Sequence, residues 1–228
     1  MSWNPKDAIL VPVKTLSEAK QRLAGVLTAQ ERHDLVRLML EGVLTVLAAE
    51  MPEAWRWMVT SDGEAAELGR AHGFEILEEG PPQSESASVD HACRQFTAMG
   101  IRGSLRIPLD LPLLGPYGVE DLVAAIPPST TEAHPQALLV PDVAGTGTNA
   151  LYRSPAAWFP SRFGPDSLRL HQQEAIAHGG ELSVLELPEL ALDLDTPADL
   201  QDLLSRGVDC PAVRLLREWG LPERLEKL

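Results

Sequence analysis

Cysteine is scarce in this 228-residue sequence, in which Cys93 and Cys210 are the only two and lie far apart. Two isolated cysteines provide neither a disulfide framework nor the paired spacing of a zinc site. Apolar runs are also short, and none approaches the roughly 20 residues that span a bilayer. The first residues lack the basic start and the apolar stretch of a signal peptide. These absences predict a protein of the reducing cytoplasm with no membrane partner.

Positive charge is the second scarcity. The sequence has 19 Lys and Arg residues against 33 Asp and Glu residues, which gives a formal net charge of −14. Such a chain is a poor general binder of nucleic acid, whose affinity for proteins comes mainly from Lys and Arg on phosphates. The imbalance is uneven, because residues 1–60 are neutral and residues 61–228 carry the whole excess. A site with a cationic side and an acidic side would produce this distribution, as would a soluble acidic surface.

Short apolar runs alternate with segments of helical spacing. Thr28 and Glu31 form a capping box that opens a helix, and Thr196 with Pro197 begins another. This alternation predicts an α/β fold, with a mostly parallel sheet and helices on both faces. The predicted strands are 8–13, 55–60, 74–77, 104–109, 137–141, 148–152, 182–187 and 190–194; the predicted helices, after the one at 28, are 63–72, 87–99, 119–126, 167–177, 196–206 and 212–219.

No internal repeat or linker divides the chain. We therefore predict a single domain over residues 1–206. The tail 207–228 is predicted to pack on this core or on a second subunit, so a homodimer is an open alternative.

Three cations follow the first predicted strand within nine residues: Lys14, Lys20 and Arg22. Backbone N–H groups at a strand end, together with cations, are typical of polyphosphate sites. The loop is not a Walker A loop, because G-x-x-x-x-G-K-[ST] does not occur. A solvated basic loop is the alternative interpretation.

Three aspartates are candidates for a metal site. Asp110 directly follows an apolar strand, at the position where catalytic groups of open α/β sheets lie. If 190–194 is a strand, alternation places the carboxylates of Asp193 and Asp195 on one face. Carboxylates so placed repel one another unless a cation neutralises them, and Mg²⁺ is the usual choice beside a nucleotide phosphate. Turn and helix-cap roles for these aspartates remain alternatives.

Two glycine-bearing segments are candidate anion sites. The first, 145–151, contains two glycines among hydroxyl residues and allows close backbone approach to an anion, although a hairpin turn would read the same way. The second, 163–167, leads into a helix at Ser167 whose free N–H groups favour a phosphate or carboxylate, or are simply capped. His171, one turn into that helix, is predicted to pack or to support a neighbour rather than to act as a base.

In their order along the chain, these segments resemble nucleotidyltransferases of the Rossmann-like, GT-A-like type. More narrowly, they resemble the guanylyltransferases that make the GMP-activated precursor of the deazaflavin coenzyme F-420. The resemblance covers about residues 8 to 204. It rests on Pro12-Val13-Lys14, Ala19-Lys20-Gln21-Arg22-Leu23, Pro108-Leu109-Asp110-Leu111-Pro112-Leu113-Leu114, Gly147-Thr148-Asn149-Ala150-Leu151, Phe163-Gly164-Pro165-Asp166-Ser167 with His171, and Leu192-Asp193-Leu194-Asp195-Thr196-Pro197-Ala198-Asp199-Leu200.

The resemblance implies a Mg²⁺-dependent transfer of GMP from GTP to a small phosphorylated carboxylic acid, with release of pyrophosphate. The acids that it implies are 3-phospho-D-glycerate, phosphoenolpyruvate and 2-phospho-L-lactate. It implies a catalytic role for Lys20 and for three aspartates that would hold the metal. The implied residues are Asp110, Asp193 and Asp195 for Mg²⁺, Lys14, Lys20 and Arg22 for the GTP phosphates, and Thr148, Gly164 and Ser167 for the acceptor.

One segment departs from the family pattern. The family often has Gly-Leu-Asn before its third helix, whereas residues 84–90 here read Ser-Glu-Ser-Ala-Ser-Val-Asp. Ser86 and Ser88 are predicted to donate hydrogen bonds to the nucleotide instead, and the altered segment tilts the expected acceptor toward 3-phosphoglycerate. Two other functions stay open: a metal-dependent glycosyltransferase that uses a nucleotide-sugar, and a non-catalytic nucleotide-binding protein.

Overall fold

A single mixed sheet organises the protein. The computed structural model describes residues 3–51, 54–80, 84–127 and 134–225. In this part of the chain seven strands lie in the order β3-β2-β1-β4-β6-β5-β7. All neighbours are parallel except that β6 runs antiparallel to both β4 and β5. The strands are β1 Asp7–Val13, β2 Trp55–Thr60, β3 Glu75–Glu78, β4 Gly103–Arg106, β5 Gln136–Pro141, β6 Thr148–Ser154 and β7 Glu181–Val184.

Helices connect all consecutive strands except β5 and β6, and the predicted α/β architecture is confirmed. Both predicted helix starts are also confirmed, because Thr28 and Glu31 form a capping box and so do Thr196 and Asp199. Two 3-10 turns, Leu16–Glu18 and Gln21–Leu23, follow β1. The helices are α1 Ala29–Glu50, α2 Gly63–Ala71, α3 Glu85–Ala98, α4 Pro116–Ala125, α5 Ser167–Ala177, α6 Pro188–Ala191, α7 Pro197–Ser205, α8 Pro211–Glu218 and α9 Leu221–Leu225.

The predicted strand 190–194 is wrong. Pro188 starts the short helix α6 instead, and an extended segment without strand pairing follows it from Leu192. Proline favours the first turn of a helix, and residues 188–191 form one there, which takes the first two positions of the predicted strand. Leu192 and Leu194 are nevertheless 2% and 0% exposed, so the alternation of the sequence reflects burial without a sheet.

Several element ends differ from the predicted ones. Helix α3 begins two residues before the predicted start, at Glu85, because Ser84 caps it. Strand β4 ends at Arg106, three residues before the predicted end, and Pro108 follows without an N–H to pair. Strand β7 likewise ends at Val184. Residues 81–83 of the loop predicted before α3 lie outside the described residues.

Strand β1 is the centre of the core, and all seven of its residues are buried. Ile9, Val11 and Val13 face the larger apolar cluster, which contains residues of α1, α4 and α7. Ala8 and Leu10 face a second cluster that contains Val89, Ala92, Cys93 and Phe96 of α3. The period-two alternation of β1 therefore separates the two helical layers. In the described part of the chain, no helix is long and apolar enough to cross a membrane.

The C-terminal tail packs on the same core. Residues of α8 and α9, among them Leu216 and Leu221, belong to the larger cluster. Arg224 of α9 binds the carboxylate of Glu31 through two nitrogens, at 3.0 and 2.8 Å. These hydrogen bonds lower the pKa of Glu31 from its ordinary 4.5 to about 2. A charged clamp thus joins the tail to the start of α1.

We expect Glu31→Gln to lower the midpoint of thermal unfolding by a few degrees at pH 7. Glutamine keeps the capping box, so the change isolates the ion pair. Because the folded protein lowers the pKa of Glu31, the charge stabilises the fold above about pH 4.5. The difference from the unsubstituted protein should therefore shrink as the pH falls from there toward about 2. Thermal unfolding across this range measures it, with the exposed Glu67→Gln as control. A gap that does not change with pH would contradict the assignment.

Candidate functional site

A cleft of about 710 Å³ opens at the carboxyl edge of the sheet. Its walls come from the segments that follow β1 and β4, from the end of β3, and from the segment after α6. Because β6 is antiparallel to β4, the start of β6 lies at this edge as well. This is the place where open α/β sheets bind ligands, and the volume suits a small molecule.

Lys20 lies at the centre of the cleft. Its ammonium is 2.5 Å from Asp110 Oδ2 and 2.6 Å from Asp195 Oδ1, and its side chain is only 6% exposed. The residue has φ 56° and ψ 39°, a left-handed conformation that is uncommon outside glycine. The backbone at Lys20 therefore adopts an unfavourable conformation that turns the chain into the Gln21–Leu23 turn.

Three carboxylates meet at this point. Asp110 follows β4, while Asp193 and Asp195 alternate with the buried Leu192 and Leu194. One ligand oxygen from each aspartate lies within 4.8 Å of the others. The sequence prediction that these three side chains share a site is thus matched by the geometry, although the predicted strand behind it is wrong.

The charges in this cluster alter one another's pKa. Burial raises the pKa of Asp193 to about 6, and repulsion by Asp110 and Asp195 adds to the shift. Burial opposes the charge of Asp110 too, but the attraction of Lys20 outweighs it and lowers that pKa. For Lys20, burial is again outweighed, here by its two carboxylate partners, and the pKa is raised. The cluster therefore has more negative charge than Lys20 alone neutralises.

The donor set fits a hard divalent cation. Mg²⁺ prefers oxygen ligands and is commonly bound through one or two carboxylates together with substrate phosphates. Burial, and then the neighbouring carboxylates, raise the pKa of Asp193, and the positive charge of such a cation would oppose both effects. The residues that would hold it are those named from the sequence, Asp110, Asp193 and Asp195.

Asn149 is a site residue that the sequence prediction missed. Its amide nitrogen lies 2.8 Å from the carbonyl oxygens of Leu190 and Ala191 and 3.3 Å from Asp193 Oδ1. It therefore satisfies carbonyl groups at the end of α6 and holds Asp193 beside Asp110. The available signal was an asparagine next to the apolar Ala150 and Leu151 in the predicted strand 148–152, and it is 6% exposed in the structure.

Arg106 was also missed. Its side chain is 7% exposed, lines the cleft, and pairs with Glu85 at the start of α3. The guanidinium also lies 3.2 Å from the carbonyl oxygen of Thr148 and 4.3 Å from the centre of the Phe163 ring. Arg106 thus joins α3, β6 and the segment before α5. An arginine within a buried strand was the signal for such a role.

Of the residues predicted to bind the nucleotide, all except Ser86 line the cleft. Lys14 and Arg22 are exposed and line the cleft with Lys20. Ser88 lines it as well, but Glu79 and the carbonyl of Ser84 are both within reach of its single hydroxyl proton. The hydroxyl oxygen of Ser86 accepts the N–H of Phe163 at 2.8 Å. Ser86 is not among the described residues that line the cleft, and its nucleotide contact stays a prediction.

The residues predicted for the acceptor meet on the other side of the cleft. Thr148, Gly164 and Ser167 all line it. Gly164 has φ 119° and Asp166 has φ 61°, so the chain makes a tight turn just before α5. The N–H of Leu168 bonds the carbonyl of Thr146 at 3.0 Å and fixes the start of α5 against the loop before β6.

Two guanylyltransferases match most of the chain in sequence. Phosphoenolpyruvate guanylyltransferase of Nocardia farcinica is 34% identical over 217 residues, which cover 92% of this chain and 91% of the relative. 2-Phospho-L-lactate guanylyltransferase of Methanothermobacter thermautotrophicus is 29% identical over 213 residues, 93% of this chain and 91% of the relative.

Solved structures show the same fold. A protein of Desulfovibrio desulfuricans, provisionally named a nucleotide-diphospho-sugar transferase, superposes with a TM-score of 0.75 over 97% of both chains at 18% identity. The sequence model of one family, described as "Guanylyl transferase CofC like", matches residues 7–227. Because this match spans nearly the whole chain, the chain belongs to that guanylyltransferase family.

Proposed function

We propose that the protein transfers GMP from GTP to the phosphate of a small three-carbon phospho-acid and releases pyrophosphate, as a step of coenzyme F-420 biosynthesis. One observation carries the proposal: a single cleft holds the carboxylate cluster with Lys20 beside the turn of Gly164 and Ser167. The first group suits a nucleotide triphosphate with its cation, and the second suits an acceptor anion. Relatives are named guanylyltransferases of phosphoenolpyruvate and of 2-phospho-L-lactate, which supports both the nucleotide and the acid in the proposal.

In the proposed reaction, a phosphate oxygen of the acceptor attacks the α-phosphorus of GTP. The new P–O bond replaces the bond to the β-phosphate, and pyrophosphate leaves with the electron pair. A phosphate monoester is largely ionised near pH 7, so the attack needs no general base. The remaining barrier is the approach of two anions and the charge that develops on the leaving group.

The cations of the chain address that charge. Lys14 and Arg22 are exposed at the cleft and are free to follow the triphosphate, whereas Lys20 is fixed between two carboxylates. We assign Lys14 and Arg22 to the departing phosphates and Lys20 to the reacting centre. Fixed charges of this kind stabilise a transition state without reorganising during the reaction.

Mg²⁺ is the proposed cofactor, held by Asp110, Asp193 and Asp195. When bound there, it would supply positive charge to the phosphates and so reduce the repulsion between nucleotide and acceptor. Asn149 would keep Asp193 in place through its contact to Oδ1. The proposed metal site therefore uses Asp110, Asp193 and Asp195 as ligands and Asn149 as a support for Asp193.

The proposed acceptor site is an anion site built by the turn before α5. The turn at Gly164 and the start of α5 suit any acid with an anionic group near its phosphate. Relatives are named for phosphoenolpyruvate and for 2-phospho-L-lactate. The altered segment 84–90 favours 3-phosphoglycerate, and a direct comparison of the three acids decides among them.

The defining experiment is a panel in which each of the four nucleoside triphosphates is combined with each of the three acids in the presence of Mg²⁺. We expect pyrophosphate release with GTP and one of the acids, and a product that contains GMP. The matched control omits the acid. Absence of release with every pair would overturn the proposal.

We expect Asp193→Asn to reduce turnover by roughly 10²–10³-fold or more, because the site loses a metal-ligand charge. The variant should still fold, and without Mg²⁺ it should be more stable at pH 8. Since the folded protein raises the pKa of Asp193 to about 6, its ionisation costs stability as the pH rises from about 4 to 6. The gain in the free energy of unfolding of Asp193→Asn, of order 1–2 kcal/mol at pH 8, should vanish below about pH 4.

Urea unfolding in EDTA measures the stability, and pyrophosphate release measures the turnover. The control is Asp121→Asn, which alters an exposed aspartate of α4 outside the cleft. Full activity in Asp193→Asn would remove the metal assignment.

Lys20→Met should show whether a cation is required between the carboxylates. In EDTA we expect a loss of about 2–4 kcal/mol in the free energy of unfolding, since the variant leaves close carboxylates without their ammonium partner. Mg²⁺ should restore more stability in this variant than in the unsubstituted protein, because the ion replaces the missing charge. Thermal unfolding against Mg²⁺ concentration checks this, with Lys6→Met as control. An unchanged response to Mg²⁺ would contradict the placement of the ion.

A further inference from the structure

His171 is a buried histidine whose protonation is fixed by its neighbours. It is 0% exposed, and the N–H of Arg162 donates to its Nε2 at 2.8 Å. A nitrogen that accepts a hydrogen bond carries no proton. Burial lowers the pKa of His171 to about 3, and the positive charges of Arg153 and Arg106 add to the shift. The ring is therefore neutral, and its proton is on Nδ1.

The proton on Nδ1 determines what Thr148 can do. Nδ1 lies 3.1 Å from Thr148 Oγ1, so the imidazole donates to the threonine oxygen, and the Ser167 carbonyl is a second acceptor for the same N–H. The hydroxyl of Ser167 also donates to Thr148 Oγ1, at 3.1 Å. A hydroxyl oxygen has two acceptor positions, and both are now used.

The hydroxyl proton of Thr148 must therefore point away from His171 and Ser167. Thr148 lines the cleft, as does Ser167 at the first position of α5. An oxygen that accepts two hydrogen bonds is also a stronger donor through its own proton. The arrangement thus presents a fixed, polarised O–H to a ligand that can only accept, such as a carboxylate or phosphate oxygen.

We propose that His171 is a positioning residue that directs the Thr148 hydroxyl toward the anionic group of the acceptor acid. This inference rests on the proposed function, because it needs an anion on this side of the cleft. Nothing in it requires a charged imidazole. In a cleft with several carboxylates, a neutral donor with a fixed direction holds the acceptor anion without competing with Lys20 for the carboxylate cluster.

The contact also explains why a histidine suits this place. One ring must accept from a backbone N–H on one side and donate to a hydroxyl on the other. Phenylalanine would fill a similar space between Phe159 and Phe163 but offers neither group. Glutamine can accept through its oxygen and donate through its nitrogen. The two replacements therefore separate packing from hydrogen bonding.

A double-mutant cycle tests the inference, using Thr148→Val, His171→Phe and both together. The measured quantities are the KM of the acid, the KM of GTP and kcat, with the Kd of each of the three acids measured by calorimetry. We expect each single change to raise the KM and Kd of the acid about tenfold, with the values for GTP and kcat within about twofold. The double variant should bind the acid no more weakly than either single variant does.

His171→Gln is the conservative variant and should recover most of the acid affinity. Neither KM nor Kd per folded molecule depends on how much of a variant folds, so a modest loss of stability does not obscure the result. Additive effects, or an equal rise in the KM of GTP, would overturn the inference.

The cycle also separates this inference from the proposed function. Acid binding that depends on Thr148 and His171, without turnover of any acid, would support the positioning role and overturn the guanylyl transfer. Turnover with unchanged acid KM in the variants would overturn the positioning role alone. A protein that neither binds nor converts any of the three acids would overturn both.

Discussion

The repulsion among Asp110, Asp193 and Asp195 is the constraint on which the rest of the site depends. Carboxylates this close require positive charge, and the buried ammonium of Lys20 supplies one unit of it. Holding Lys20 there takes a left-handed backbone and a tight turn after β1. Asn149 fixes the opposite side by bonding the end of α6. The elements around the cleft thus keep in place charges that would otherwise separate.

The two sides of the cleft come from different parts of the sheet. The parallel half, β3-β2-β1, ends beside Lys14 and Lys20, where the nucleotide is proposed to bind. The antiparallel strand β6 begins on the other side, with Thr148 at the edge. Arg106 connects the sides, because its strand lies between them and its guanidinium contacts both Glu85 and the Thr148 carbonyl. The sites proposed for the donor and the acceptor are therefore brought together by strand order.

Sequence reasoning located the charged centre because local patterns encode it. Asp110 follows an apolar strand, and the alternation around Asp193 identifies its buried neighbours even though no strand forms there. Arg106 and Asn149 were missed for a common reason. A polar residue in a buried strand marks each of them, but their partners lie 21 and 41 residues away in the chain, so what they bind is known only from the fold. The same limit applies to element ends such as β4, which depend on pairing between strands.

The reversed direction of β6 has a consequence for how such a cleft can change. The loop before it, residues 142–147, is largely exposed and enters the sheet at the acceptor side. Substitutions there would reshape the acceptor pocket while strand pairing and the aspartates stay as they are. In the proposed reaction, such substitutions would exchange one small acid for another while the side proposed for the nucleotide is preserved. Acceptor specificity could therefore diverge among proteins that share this sheet and this carboxylate cluster.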